Sequence, residues 1–169
     1  MGQSLKPILL SLAVILVGLM PAFQKADAFP SARRATKVIT LERSVCFGTC
    51  PNYKLTIYSD GKVSYEGIRF VKKVGAASGR ISRAQLDELV MEFTNIYYFN
   101  LPDSFQPGDK TCPESATDMP SATTSLTWRG RSKKITHYYG CAGPSTLELL
   151  TNLEKKIDET VNVEKWTGK

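Results

Sequence analysis

Residues 53–67 read YKLTIYSDGKVSYEG, and this stretch decides the fold class. Tyr53, Leu55 and Ile57 alternate with Lys54, Thr56 and Tyr58. After Asp60-Gly61, Val63 and Tyr65 alternate with Ser64 and Glu66. Two runs of period two joined by Asp-Gly predict an antiparallel hairpin with one face in a core. Asp-Gly suits a two-residue type I′ turn, whose twist matches the flanking strands. Upstream, Val38–Arg43 reads as a strand with Ile39 and Leu41 on one face. The segment between, Cys46-Phe47-Gly48-Thr49-Cys50-Pro51, is a tight loop, because glycine permits positive φ and proline stops a helix. Downstream, Gly67 marks a bend before a further strand over Ile68–Val74.

Working outward, Ser82-Arg83-Ala84-Gln85 fits a capping box, and Leu86, Leu89, Val90 and Phe93 follow at helical spacing. Tyr97-Tyr98-Phe99 returns to the core. Asn100–Ala122 is a long irregular connection with four prolines and four acidic residues, so it is either functional or pinned, and Cys112 offers the pin. Thr124, Leu126 and Trp128, then Gly130, then Ile135, His137 and Tyr139 predict a second hairpin. Pro144-Ser145-Thr146-Leu147-Glu148 reads as a second capping box, with Leu150, Leu153, Ile157 and Val161 as the buried stripe of the last helix. The expected fold is α+β: an antiparallel sheet of five to six strands with two helices on one face.

The chain of 169 residues opens with an address. Lys6 precedes the apolar stretch Ile8–Met20, and Ala26-Asp27-Ala28 is a signal-peptidase pattern. The expectation is a cleaved leader over 1–28, a flexible lead-in over 29–37 and a single domain over 38–166. No apolar run of about 20 residues is present, which excludes a typical spanning helix. Losing Lys6, Lys25 and Asp27 takes the net charge from +6 to a modest +5. Cleavage near Ala28 implies a periplasmic or extracellular protein, an oxidising setting in which all four cysteines can pair. The single histidine excludes any site that needs two.

Four cysteines allow three pairings. The favoured pairs are Cys46–Cys50 and Cys112–Cys141, with crossed pairings left open by the unknown strand order. Zinc is disfavoured because C-x₃-C followed by single distant cysteines matches no common ligand spacing. A thiol oxidoreductase prefers C-x-x-C at a helix N-terminus, one residue shorter than this motif. Cys141 and His137, four residues apart on one strand, stand more than about 12 Å from each other and make no nucleophile–base pair.

The run Cys46–Pro51 with Tyr53, then Tyr58-Ser59-Asp60-Gly61-Lys62-Val63-Ser64-Tyr65-Glu66-Gly67, resembles the opening of the domain-of-unknown-function family numbered 6438. Asp118-Met119-Pro120, the Gly130 turn with Lys134, and Leu153–Asp158 resemble its later segments. The resemblance implies a bacterial source and one compact domain, and it brings no activity or catalytic residue. A shared functional surface would lie at the loop, with Phe47, Gly48, Pro51 and Tyr53 as its candidate binding residues.

Other candidates weigh less. His137 sits on a core face and reads as a structural imidazole. Asp103, Asp109, Glu114 and Asp118 lack a calcium-loop register. Arg129, Arg131, Lys133 and Lys134 give the second hairpin a basic tip suited to an envelope polyanion, although basic residues also protect sheet edges. The expectation is therefore an exported, monomeric, non-catalytic binding or structural module with no cofactor and no metal. Its partner would be an envelope or extracellular one, not nucleic acid. A thiol–disulfide redox protein using Cys46 and Cys50 is one alternative, and polyanion binding through Arg129–Lys134 is the other.

Overall fold

Alternation puts Ile39, Leu41, Leu55, Ile57, Val63 and Tyr65 on one side of three neighbouring strands, and each is fully buried. The computed structural model describes residues 1–2 and 35–169; the expected cleavage point and residues 3–34 of the leader and lead-in lie outside the described residues. Residues 35–169 lie within one compact unit. Its strands are β1 (Lys37–Arg43), β2 (Asn52–Tyr58), β3 (Lys62–Arg69), β4 (Gly75–Arg80), β5 (Ser104–Phe105), β6 (Glu114–Ser115), β7 (Ser121–Trp128), β8 (Arg131–Tyr138) and β9 (Cys141–Ala142). Its helices are α1 (Arg83–Asn95), α2 (Thr146–Val161) and α3 (Glu164–Thr167).

The main sheet has seven strands in the order β4-β3-β2-β1-β7-β8-β5, and β6 pairs separately with β9. All neighbours in it are antiparallel except β5, which runs parallel to β8. The register stacks the inward residues in three rows. The first holds Val63, Ile57, Ile39 and Leu126; the second holds Tyr65, Leu55, Leu41, Thr124 and Ile135; the third holds Gly67, Tyr53, Arg43, Ala122 and His137. Burying each large aliphatic of the first rows is worth about 1.5–3 kcal/mol. Leu86, Leu89, Val90 and Phe93 of α1 and Leu150, Leu153 and Ile157 of α2 join the same core. A Lys156–Glu88 ion pair of 2.8 Å ties the two helices together. The opposite sheet face is polar and partly exposed, with Thr40 bonded to Ser125 at 2.6 Å.

Several expectations are corrected. Seven strands replace five to six, because β4 and β5 carry no alternating apolar signal. The strand expected over Ile68–Val74 does not form. Instead β3 ends at Arg69, and the backbone of Lys72 and Lys73 donates to Thr167 and Trp166 of the C-terminal segment. Gly67 permits that turn: a Cβ there would lie 1.9 Å from the Lys73 carbonyl. In β4, a Cβ on Gly79 would come within 3.2 Å of the Trp166 ring, so small residues seat the indole.

The first hairpin turns through Ser59-Asp60-Gly61, not a two-residue type I′ turn. Gly61 alone has positive φ, 79°, and its N–H bonds Tyr58, which is a type I turn closed by a left-handed glycine. The two-residue turn belongs to the second hairpin, where Arg129 and Gly130 have φ of 49° and 76°. The Ser82 capping box forms in full. The one expected at Ser145 does not, because Ser145 is already helical (φ −52°, ψ −19°) and its side chain caps nothing.

A candidate functional site on a polar base

The third inward row breaks the apolar pattern. On β1 the inward sequence runs Ile39, Leu41, Arg43; on β2 it runs Ile57, Leu55, Tyr53; on β8 it ends at His137. Above this row α2 contributes Glu154 and Asp158, one helical turn apart. The Arg43 guanidinium donates through Nε and Nη2 to Asp158 Oδ2 at 2.8 and 2.7 Å. The Tyr53 hydroxyl donates to Asp158 Oδ1 at 2.7 Å, and Arg43 Nη1 donates to the Tyr139 hydroxyl at 2.7 Å. Tyr139 in turn donates to Glu154, whose other oxygen lies 3.2 Å from His137 Nδ1. The imidazole stacks on the Tyr139 ring with centroids 4.8 Å apart.

Burial alone disfavours the Arg43 charge, but Asp158, with Tyr139 and Tyr53, outweighs it and holds the guanidinium above its ordinary value. Burial pushes Tyr53 and Tyr139 well up, helped by the neighbouring carboxylates and opposed by Arg43. Burial also pushes the Asp158 carboxyl up, against the pull of Arg43 and the Tyr53 hydroxyl. The groups are saturated with one another, so this row serves as a brace.

What it braces is the loop over 44–51. Arg43 and Tyr53 stand opposite each other at the loop's two ends, and both bond the one carboxylate of Asp158. Asn52 Nδ2 donates to the Arg43 carbonyl, and Ser44 N–H to Ser121 at 2.9 Å. Higher up, a disulfide joins Cys46 to Cys50 with Cα atoms 5.6 Å apart. The Phe47 N–H donates to Asp118 at 3.0 Å on one flank, and Lys169 Nζ donates to the Thr49 carbonyl at 2.7 Å on the other. Gly48, at φ 139°, takes a conformation that side chains rarely allow. Phe47 stands at the tip, 88% exposed, with Val45 and Met119 each 44% exposed beside it.

Of the sequence candidates, the structure brings Phe47, Gly48 and Pro51 together on this loop. Tyr53 is corrected: it is only 2% exposed and belongs to the brace, because its position on β2 faces inward and Asp158 takes its hydroxyl. Cys50-Pro51 leads into β2 and not into a helix, so the Cys46–Cys50 pair has no helix N-terminus to stabilise a thiolate. The other bridge joins Cys112 to Cys141 and holds the long connection beside β9. His137 is buried against Glu154. Among the described residues no group of three or more His, Cys, Asp or Glu is placed to hold a metal ion. In the basic hairpin, Lys133 pairs with Asp103, and Asp109 accepts from Ser104 at 2.6 Å within its own loop.

Arg43, Glu154 and Asp158 are not marked as site residues by any sequence motif, and Tyr139 reads there only as a strand residue beside His137. Their signal is an inward period that continues into polar residues: Arg43 two after Leu41, Asp158 beside Ile157. The chain matches none of the curated proteins with which it was compared. It matches the domain of unknown function (DUF6438) over residues 37–161, from the first residue of β1 to the last of α2. The chain therefore belongs to that family.

Proposed function

We propose that this protein is an exported, non-catalytic binding module that docks on an envelope or extracellular protein through the stapled loop. Phe47 is the anchor, flanked by Val45 and Met119. The observation that carries this reading is the exposure of Phe47 at the tip of a loop held from its base, neck and both flanks. Leaving a phenylalanine in water forgoes roughly 1.5–3 kcal/mol of burial. A loop that merely closed a hairpin would not need to display it. Rigid presentation removes much of the ordering entropy that a partner contact otherwise opposes, and aromatic anchors of this kind dominate interface energies. Export is supported by the leader pattern and by two disulfides, which belong to oxidising compartments. Among the described residues no helix is long and apolar enough to cross a membrane.

The test is site-specific photo-crosslinking from position 47 in the producing cell, compared with position 149, which is also exposed but lies on α2 outside both surfaces. A partner captured only from position 47, and lost when Val45 and Met119 are changed to serine, supports the reading. Equal capture from both positions, or capture unaffected by those two changes, sinks it.

A further inference from the structure

A second surface lies on the other side of the fold. The last turns of α1, the segment after it and the β7–β8 hairpin enclose a groove of about 520 Å³. Met91, Tyr97, Phe99 and Trp128 supply its apolar wall, and Arg129 and Arg131 its lip. A neighbouring groove shares Phe99 and Arg131 and continues to Lys134, so the two form one track. The Arg131 guanidinium lies over the Phe99 ring at 4.2 Å, which orients its charge along that track.

Two further observations mark the track as a ligand site. Tyr97 and Arg129, which both line it, hold left-handed backbones, with φ of 54° and 49°. Neither residue type favours that conformation; a type I′ turn prefers Asn, Asp or Gly where Arg129 stands. Strain of this kind gathers at functional sites. The charges are also unbalanced. The carboxylates lining the track are occupied, Asp87 by Arg83 and Asp103 by Lys133. Arg129, Arg131 and Lys134 have no carboxylate partner among the described residues.

We infer that this track binds an acidic polysaccharide, its sugar faces against Tyr97 and Trp128 and its carboxylates on Arg129, Arg131 and Lys134. Aromatic faces carry negative charge density and attract the C–H faces of pyranose rings. A groove lined by both aromatics and cations suits a chain whose rings and charges repeat. Single-stranded nucleic acid offers the same two features. The disulfides favour a compartment where glycans are the common polyanions. This site is independent of the stapled loop.

The test is calorimetric titration of the full protein with oligogalacturonate, a neutral oligosaccharide of equal length, polyphosphate and single-stranded DNA. Oligogalacturonate should bind best. Arg131→Ala and Tyr97→Asn should each weaken it about tenfold. Arg129→Asn is the decisive variant: asparagine relaxes the turn, so the protein should melt higher while binding weakens, and Phe47→Asp should leave this binding unchanged. Equal binding of polyphosphate would reduce the site to charge alone and overturn the inference. So would tighter binding of DNA, equal binding of the neutral sugar, no binding of any probe, or indifference to Arg129 and Arg131.

Discussion

The two ends of the sheet treat polarity in opposite ways. At one end Val63, Ile57, Ile39 and Leu126 form a row of buried aliphatics, the ordinary partition of a half-covered sheet. At the other end, around the span from Arg43 to Tyr53, a charged pair is mostly covered, with 17% and 15% of its side chains exposed, and a phenylalanine is outside. Buried ion pairs are poor stabilisers compared with well-packed apolar groups, because desolvation offsets their attraction. Their bonds are directional, however, which aliphatic contacts are not. The apolar end holds the fold together, and the polar end fixes where one loop stands.

The largest predicted effect breaks that polar end from one side. Asp158→Ala leaves the mostly covered Arg43 guanidinium without its carboxylate and the buried Tyr53 hydroxyl without its acceptor, and should destabilise the domain by about 3 kcal/mol in urea titration. Replacing the pair together, Arg43→Met with Asp158→Leu, should come out near neutral. It should also speed amide exchange over residues 45–50, because the loop ends lose their common anchor. Stability lost without faster loop exchange would show that the row serves only the core.

The two disulfides sharpen the contrast at a smaller scale. Cys112 and Cys141 are 29 residues apart, and opening that bridge by Cys→Ser substitution at both positions should cost about 3–4 kcal/mol in the chain-entropy account. Cys46 and Cys50 are four apart, so the same change there should cost about 2 kcal/mol or less and act on loop exchange and partner capture. A larger loss from the short bridge than from the long one would reverse the division of labour. Smaller still, Phe47→Asp should change stability by no more than about 0.5 kcal/mol, since its side chain touches little.

The same inversion explains what could be read in advance. The first hairpin, both helical stripes and the Ser82 cap were legible because alternation and capping chemistry are local. The strand Gly75–Arg80 was not: its sequence GAASGR is small for the sake of the Trp166 ring, and Trp166 lies far along the chain. The two-residue β5 depends on parallel pairing with β8, which has no local signature. Tyr53 read as a surface residue because the loop motif drew it outward, while its own alternation with Leu55 and Ile57 pointed in. Glu154 and Asp158 lie outside the apolar stripe of α2 that the sequence marks, and only the sheet beneath them gives them partners.

Two carboxylates with opposite surroundings give the finest test. Burial raises Asp158 above its ordinary value of about 4, so the folded state keeps that proton more readily than the unfolded chain. The stability linked to it is complete below the ordinary value and is lost as pH rises through the folded one. Asp109 is exposed and shifts the other way, lowered first by the Ser104 hydroxyl and then by the Gln106 N–H. Its contribution is present above the ordinary value and is lost as pH falls through the folded one. Urea midpoints of wild type, Asp158→Asn and Asp109→Asn across pH 3–7 should therefore diverge in sign. The gap between wild type and Asp158→Asn should widen on acidification towards about pH 4, whereas the smaller gap to Asp109→Asn should close below it. If both gaps close together, desolvation does not govern Asp158. The polar end would then be an ordinary ion pair at the edge of the core, and the inversion would lose its energetic meaning.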